Sequence, residues 1–191
     1  MKQIILLTFM AISVLTGNAQ TAATNNLPPL DKSPMDMCYY PSNYPVLKIQ
    51  DKITEPAVAR VIYSRPQKNG RLIFGDLVEY GKVWRLGANE ATEIEFFRSV
   101  KIGDKKVEKG RYTLYAIPME DSWTIILNKD NDVWGAFKYD EQKDVVRTTV
   151  PVQKLSEGVE ALAMTFEKSD SGCNLIIAWD NIKASLPISL K

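Results

Sequence analysis

The chain contains no histidine and only two cysteines, and these shortages exclude more chemistry than any motif supplies. Without an imidazole the usual general base is missing, so Ser-His-Asp and Cys-His nucleophile arrangements cannot be assembled. HExxH and the other histidine-bearing metal patterns go with them. Cys38 and Cys173 stand far apart without a second pair, which leaves out the common zinc spacings. Neither a metal nor a cofactor is therefore expected. No segment repeats apolar residues at helical spacing over three turns, which argues against a helical fold. No excess charge of either sign is present: the sequence carries 24 basic and 23 acidic side chains, and the first 19 residues hold one base, Lys2, and no acid. Without that segment the balance is zero, so no net field steers the protein to nucleic acid or anionic lipid.

What is present suits one globular domain with a sizeable core. The 191 residues are 45% hydrophobic and 25% charged, an ordinary proportion for a folded soluble domain. The start of the chain reads separately. Lys2 precedes an apolar run from Ile4 to Leu15, and Thr16-Gly17-Asn18-Ala19 supplies the small residues that a signal peptidase reads. A membrane helix needs roughly 20 apolar residues, so residues 1–19 read as a signal peptide cleaved at Ala19-Gln20, the alternative being an uncleaved anchor. Export to the periplasm or the outside follows, with no integral span after cleavage. Residues 20–34 form a flexible segment of small, polar and Pro residues, and 35–191 form the domain. In an oxidising compartment Cys38 and Cys173 either close one bridge, worth roughly 4 to 5 kcal/mol on the chain-entropy model, or remain two buried thiols.

Along the domain, strand signals recur with turns between them. Met35 to Tyr44 reads as an extended apolar arm whose tyrosines pack on the domain or line a sugar cleft. Val46–Gln50, Ala57–Ser64 and Arg71–Phe74 follow, the last two separated by the turn signal Asn69-Gly70. Thr92–Phe97 and the pair flanking Gly103-Asp104 come next. Arg111–Pro118 and Ser122–Asn128 form the clearest hairpin, and being apolar on both faces they are expected at the centre. Val133–Tyr139, Asp144–Val150, Ala161–Glu167, Cys173–Trp179 and Ala184–Leu190 complete about ten strands. The expected fold is an all-β antiparallel β-sandwich, jelly-roll-like.

Val83-Trp84-Arg85-Leu86-Gly87-Ala88-Asn89-Glu90-Ala91-Thr92 joins an indole, a guanidinium, an amide and a carboxylate in one small-residue turn. Gly87-Ala88-Asn89 lacks the spacing of a phosphate cradle. Ser64-Arg65-Pro66, Gly70–Gly75, Gly81–Arg85 and Gly87–Thr92 together resemble a bacterial secreted family known only as domain of unknown function 2911. Gly110–Pro118, Trp123–Ile126 and Trp134-Gly135 look like its second block. The resemblance runs from about Asp31 to the C-terminus. It implies an exported, mostly β domain, and no activity.

Arg65, Arg71 and Arg85 each stand where a strand meets a turn, and a planar five-donor group there can clamp a carboxylate, phosphate or sugar hydroxyl pair. The plainer reading pairs Arg85 with Glu90 and gives Arg65 and Arg71 to loop carbonyls. Glu93 and Glu95 lie about 6.5 to 7 Å apart on one strand face, near a glycosidase separation, but alternation with Ile94 and Phe96 explains them as solvated residues. The leading expectation is a non-enzymatic domain binding a glycan, a small anionic ligand or an envelope protein at Arg65, Arg71, Trp84, Arg85, Asn89 and Glu90. The alternatives are a hydrolase of glycans or esters using Glu90 beside Arg85, and a purely structural envelope module.

Overall fold

A computed structural model describes residues 27–190. The expected signal peptide and residues 20–26 of the segment after it lie outside the described residues, while 27–34 carry no helix or strand.

Nine strands among the described residues form one antiparallel sheet. Strand β1 (Met35–Tyr40) pairs with β2 (Ala59–Ser64), which pairs with β3 (Glu93–Phe96). Next come β6 (Gly110–Pro118) and β7 (Ser122–Asn128), joined as a hairpin with Thr113 opposite Asn128 and Pro118 opposite Trp123. The sheet continues through β8 (Asp144–Lys168) and β9 (Gly172–Ser189) to β4 (Val100–Ile102) and β5 (Lys105–Val107). The all-β, antiparallel, sandwich-like part of the expectation is what this order shows. It does not add a jelly-roll closure.

The curvature comes from β8. Its first part, to Pro151, pairs with β7; from Val152 onward it pairs with β9, with register shifts on either side of Val159. Bulges of this kind bend a strand and raise its twist, so one strand serves both halves of the curled sheet. The far side is tied by a single antiparallel bridge, Gln67 to Ala161, with Leu162 N donating to Pro66 O at 3.0 Å. Tyr63 reinforces it: its hydroxyl donates to Met164 O and accepts from Met164 N.

The expected central hairpin is central, and the structure shows why its strands are apolar on both faces. Leu114, Ala116, Ile125 and Leu127 face the main core, whereas Tyr115 and Ile126 form a second cluster on the outer face. Ala91, Val83, Val133 and Ala136 pack there, so the loops around residues 83–91 and 133–139 cover the outside of the sheet.

Several expected strands take other forms. Val46–Gln50 falls in a short helix, α1 (Tyr44–Ile49), with Pro at its first turn, where the missing N–H costs no hydrogen bond. Arg71–Phe74 and Val133–Tyr139 are turns carrying isolated bridges. The four expected C-terminal strands are two long ones, because Pro151 and Gly158 are absorbed within β8 and Asp180 within β9. The apolar arm is the edge strand β1 followed by α1.

Cys38 and Cys173 are free thiols, Cys173 fully buried. Burial pushes both up from 9.0 to about 12, with the Asp36 carboxylate adding to the shift of Cys38. A thiol whose folded pKa is raised stays neutral and unreactive below it. At pH 8 a chromogenic disulfide reagent should therefore find no reactive thiol in the folded protein and both in denaturant. A reading of none in denaturant would establish a bridge instead.

Candidate functional site

The central turn is an excursion from a strand position beside β6. Trp84 exchanges both backbone hydrogen bonds with Ala116, at 2.7 and 2.9 Å, and Thr92 O accepts from Leu114 N at 2.8 Å. Residues 85–91 leave the sheet between these points, and Thr92 N closes the neck by donating to Arg85 O at 3.0 Å. Two buried hydroxyls shape the interior. Ser64 Oγ donates to Ala88 O and accepts from Ala88 N, each at 2.6 Å, and Thr92 Oγ1 donates to Leu86 O at 2.7 Å. Gly87 is required here, since a Cβ would stand 2.7 Å from Ser64 Oγ. Leu86 has φ 56 with its side chain fully buried. A left-handed leucine costs roughly 1 to 2 kcal/mol and persists only where its surroundings over-determine it.

Those surroundings begin with Trp84. Its ring stacks on Trp179, centroids 6.0 Å apart and 18° from parallel, and meets Trp123 and Phe74 edge-on. Its Nε1 donates to Gly87 O at 3.3 Å. The indole is thus a core residue at 8% exposure with one face already taken. It provides a wall to the site and not a free stacking platform.

Arg85 follows directly and behaves unlike the other arginines. Its Nε is buried without a hydrogen-bond partner, and among the described residues no group accepts from any guanidinium nitrogen. Burial pushes its pKa down, the expected direction for a cation moved out of water without an anion beside it. Arg60 also has an orphaned Nε, but its Nη2 meets Glu95 Oε2 at 2.6 Å. Arg65, Arg71, Arg111 and Arg147 each have carboxylate or carbonyl partners, and Arg98 is exposed to water.

Arg85 lines two adjoining hollows that share Leu77, Val78 and Trp84. The inner one, about 190 Å³, also has Arg71, Gly87, Ala88 and Trp179 in its wall and no carboxylate. The outer one, about 240 Å³, adds Lys82 and Glu79 with Val83, Ala136 and Phe137. Glu79 forms no ion pair with Arg85 among the described residues. Arg71 and Arg85 thus line a concavity whose wall holds no carboxylate, a charge pattern complementary to an anion.

Three of the six expected site residues, Arg71, Trp84 and Arg85, therefore share one concavity. The other three stand outside its lining. Arg65 donates from Nε to Leu162 O and pairs through Nη1 with Asp36, both at 3.1 Å. Asn89, at φ 59, accepts from Gly135 N through its backbone oxygen, and Glu90, exposed, forms a backbone bridge with Trp134. Glu90 and Arg85 do not pair. The Asn89-Glu90 corner thus holds the loop that carries Phe137 by its backbone. Arg71 spends Nε on Lys68 O and Nη2 on Gln67 O, leaving Nη1 as its unbonded nitrogen. Glu93 and Glu95 form cross-strand ion pairs with Arg111 and Arg60.

Leu77, Val78, Lys82, Phe137 and Trp179 belong to the site and escaped the sequence reading, as did the two hydroxyls of Ser64 and Thr92. Only the last two left a signal: polar residues at strand ends, Ser64 before Arg65-Pro66 and Thr92 after Ala91.

The sequence matches a family described as Protein of unknown function (DUF2911) over residues 45–188. No curated protein and no solved structure matches the chain.

The two halves of the site respond oppositely to mutation. Ser64→Ala leaves both Ala88 backbone groups unpaired and should cost about 2 kcal/mol, read as a lowered midpoint in urea. Arg85→Met removes a buried orphaned donor while keeping the stem's length, and should stabilise the fold by about 1 kcal/mol. A marked destabilisation by Arg85→Met would show that the guanidinium serves the fold.

Proposed function

Since the chain belongs to the DUF2911 family, whose description assigns no activity, we propose from the geometry that it is an exported binding domain for a small anionic ligand, a carboxylate or phosphate group received by Arg85 with Arg71 beside it. The observation that carries this reading is the Arg85 guanidinium: half-buried, unpaired among the described residues, and set in the wall of a concavity. An orphaned buried donor costs about 1 to 3 kcal/mol in a protein with nothing to bind to it. An oxyanion placed there satisfies it with charge-assisted hydrogen bonds, the stronger kind.

Binding is favoured over hydrolysis by the position of Glu90. A catalytic carboxylate beside Arg85 would lie within hydrogen-bonding reach of the same ligand, whereas Glu90 is exposed and lies outside the lining of both hollows. A glycan is favoured less than an anion because the face of Trp84 is already stacked on Trp179.

Trp84 and Trp179 both line the inner hollow, so their indole N–H resonances report on occupancy. Titration with inorganic phosphate and with acetate should move them saturably, with dissociation constants on the order of millimolar. Arg85→Gln should abolish the saturable shift and Arg65→Gln should leave it in place. Linear or absent shifts into the tens of millimolar, or saturation unchanged in Arg85→Gln, would overturn the reading.

A further inference from the structure

The outer hollow differs in chemistry from the inner one. Six of its nine lining residues are apolar, Leu77, Val83, Ala136 and Phe137 with the shared Val78 and Trp84, while the polar surface in its wall, with Glu79, Lys82 and Arg85, is nearly as large. Phe137 is 82% exposed and Leu77 48% exposed, and Leu72 and Trp134 on the same two loops are also exposed. Folding alone gives no reason for a ring so placed, because exposed apolar area contributes nothing to the hydrophobic stabilisation of the core. Its position is nonetheless specified. Gly135, at φ 68, lies under the ring, where a Cβ would come within 2.7 Å of Phe137 Cε2, and Gly135 N is bonded to Asn89 O at 3.0 Å. Leu77 is set on the opposite loop by Val78 N donating to Ile73 O and Gly75 N to Val78 O.

The two hollows meet at Arg85, so a ligand whose anionic group reaches the guanidinium from the outer side lays its remaining atoms along this apolar wall. We infer that the ligand is an amphipathic carboxylate, a charged head on Arg85 with an aliphatic or aryl tail against Leu77, Val83 and Phe137. This rests on the anion-binding reading above and adds to it the nature of the rest of the molecule. Charge complementarity selects the head, since Arg71 and Arg85 face the inner hollow with no acid in its lining. The apolar rim selects the tail. Lys82 and Glu79, both on the outer wall, offset one another there, so the positive charge offered to the head is that of Arg85 and Arg71.

The experiment compares acetate, butanoate and octanoate by the same indole shifts on the full domain. Covering two methylene groups is worth about tenfold in affinity, so octanoate should bind at least about tenfold more tightly than acetate, with butanoate between them. The variant Phe137→Ser, at an exposed position outside the lining of the inner hollow, should lose most of that difference, read as the ratio of octanoate to acetate affinity within the variant. Acetate binding with no gain from the longer chains would overturn the amphipathic ligand and leave the anion site standing. A ratio that survives in Phe137→Ser would also overturn it, by placing the tail elsewhere. No saturable binding of any of the three, nor of phosphate, would remove both readings together.

Discussion

The contact between Trp84 and Trp179 is the constraint from which the rest of the site follows. Trp179 comes from the long strand β9 and Trp84 from a segment bonded to β6, two parts of the sheet that meet only because the sheet curls. Phe74 and Trp123 close the cluster, so the segments around residues 74, 84, 123 and 179 are fixed against one another by aromatic packing. Such pairs add about 0.5 to 1.5 kcal/mol each beyond the area they bury. A backbone anchored at Trp84 and again at Thr92 has little freedom between them. The left-handed Leu86, the tight approach of Gly87 to Ser64 and the half-buried guanidinium of Arg85 are consequences of spanning that gap within seven residues.

That constraint explains how an arginine can be kept where no described residue pairs with it. A long side chain on a mobile loop turns outward and solvates its head. Arg85 is preceded by an immobilised indole and followed by a buried leucine, and its stem leaves the backbone in a direction that the packing sets. The contrast with Arg65 is informative, because both occupy strand-to-turn positions. Arg65 lies where the far side of the sheet is tied to β8, so a carbonyl of Leu162 and the carboxylate of Asp36 are within reach. Arg85 lines a hollow, where no carboxylate or carbonyl among the described residues reaches it. Departures from local consistency of this sort concentrate at functional sites, where a stability cost is retained for what it does.

The sequence made some of this legible and hid the rest for identifiable reasons. The hairpin of β6 and β7 was plain because local pairing and apolar runs determine it. The importance of the turn after Trp84 was legible because residue types with opposed preferences crowd into ten positions. Helix α1 was misread as a strand although Pro45 marked its start, since a run of apolar residues too short for three turns carries no usable period. The merging of four C-terminal strands into two could not be read, because Pro151 and Gly158 signal breaks that a bulged, bent strand can absorb. The lining of the hollows was least visible of all. Leu77 and Phe137 are 60 residues apart and meet Arg85 only through loop placements, which propensity does not specify.

The physical content of the Asn89-Glu90 corner shows the same limit from the other side. Residue types drew attention to the amide and the carboxylate, yet the structure uses the backbone of both positions: Asn89 O receives Gly135 N, and Glu90 bridges to Trp134. Those bonds pin the loop that presents Phe137 over Gly135, on the opposite side of the outer hollow from Leu77. The chain of dependence therefore runs from the tryptophan stack to the turn, from the turn's backbone to the aromatic loop, and from that loop to the apolar wall beside Arg85. A cation that no described residue pairs and an exposed apolar rim are set by one continuous piece of structure, which is the physical reason for proposing that they act as one site.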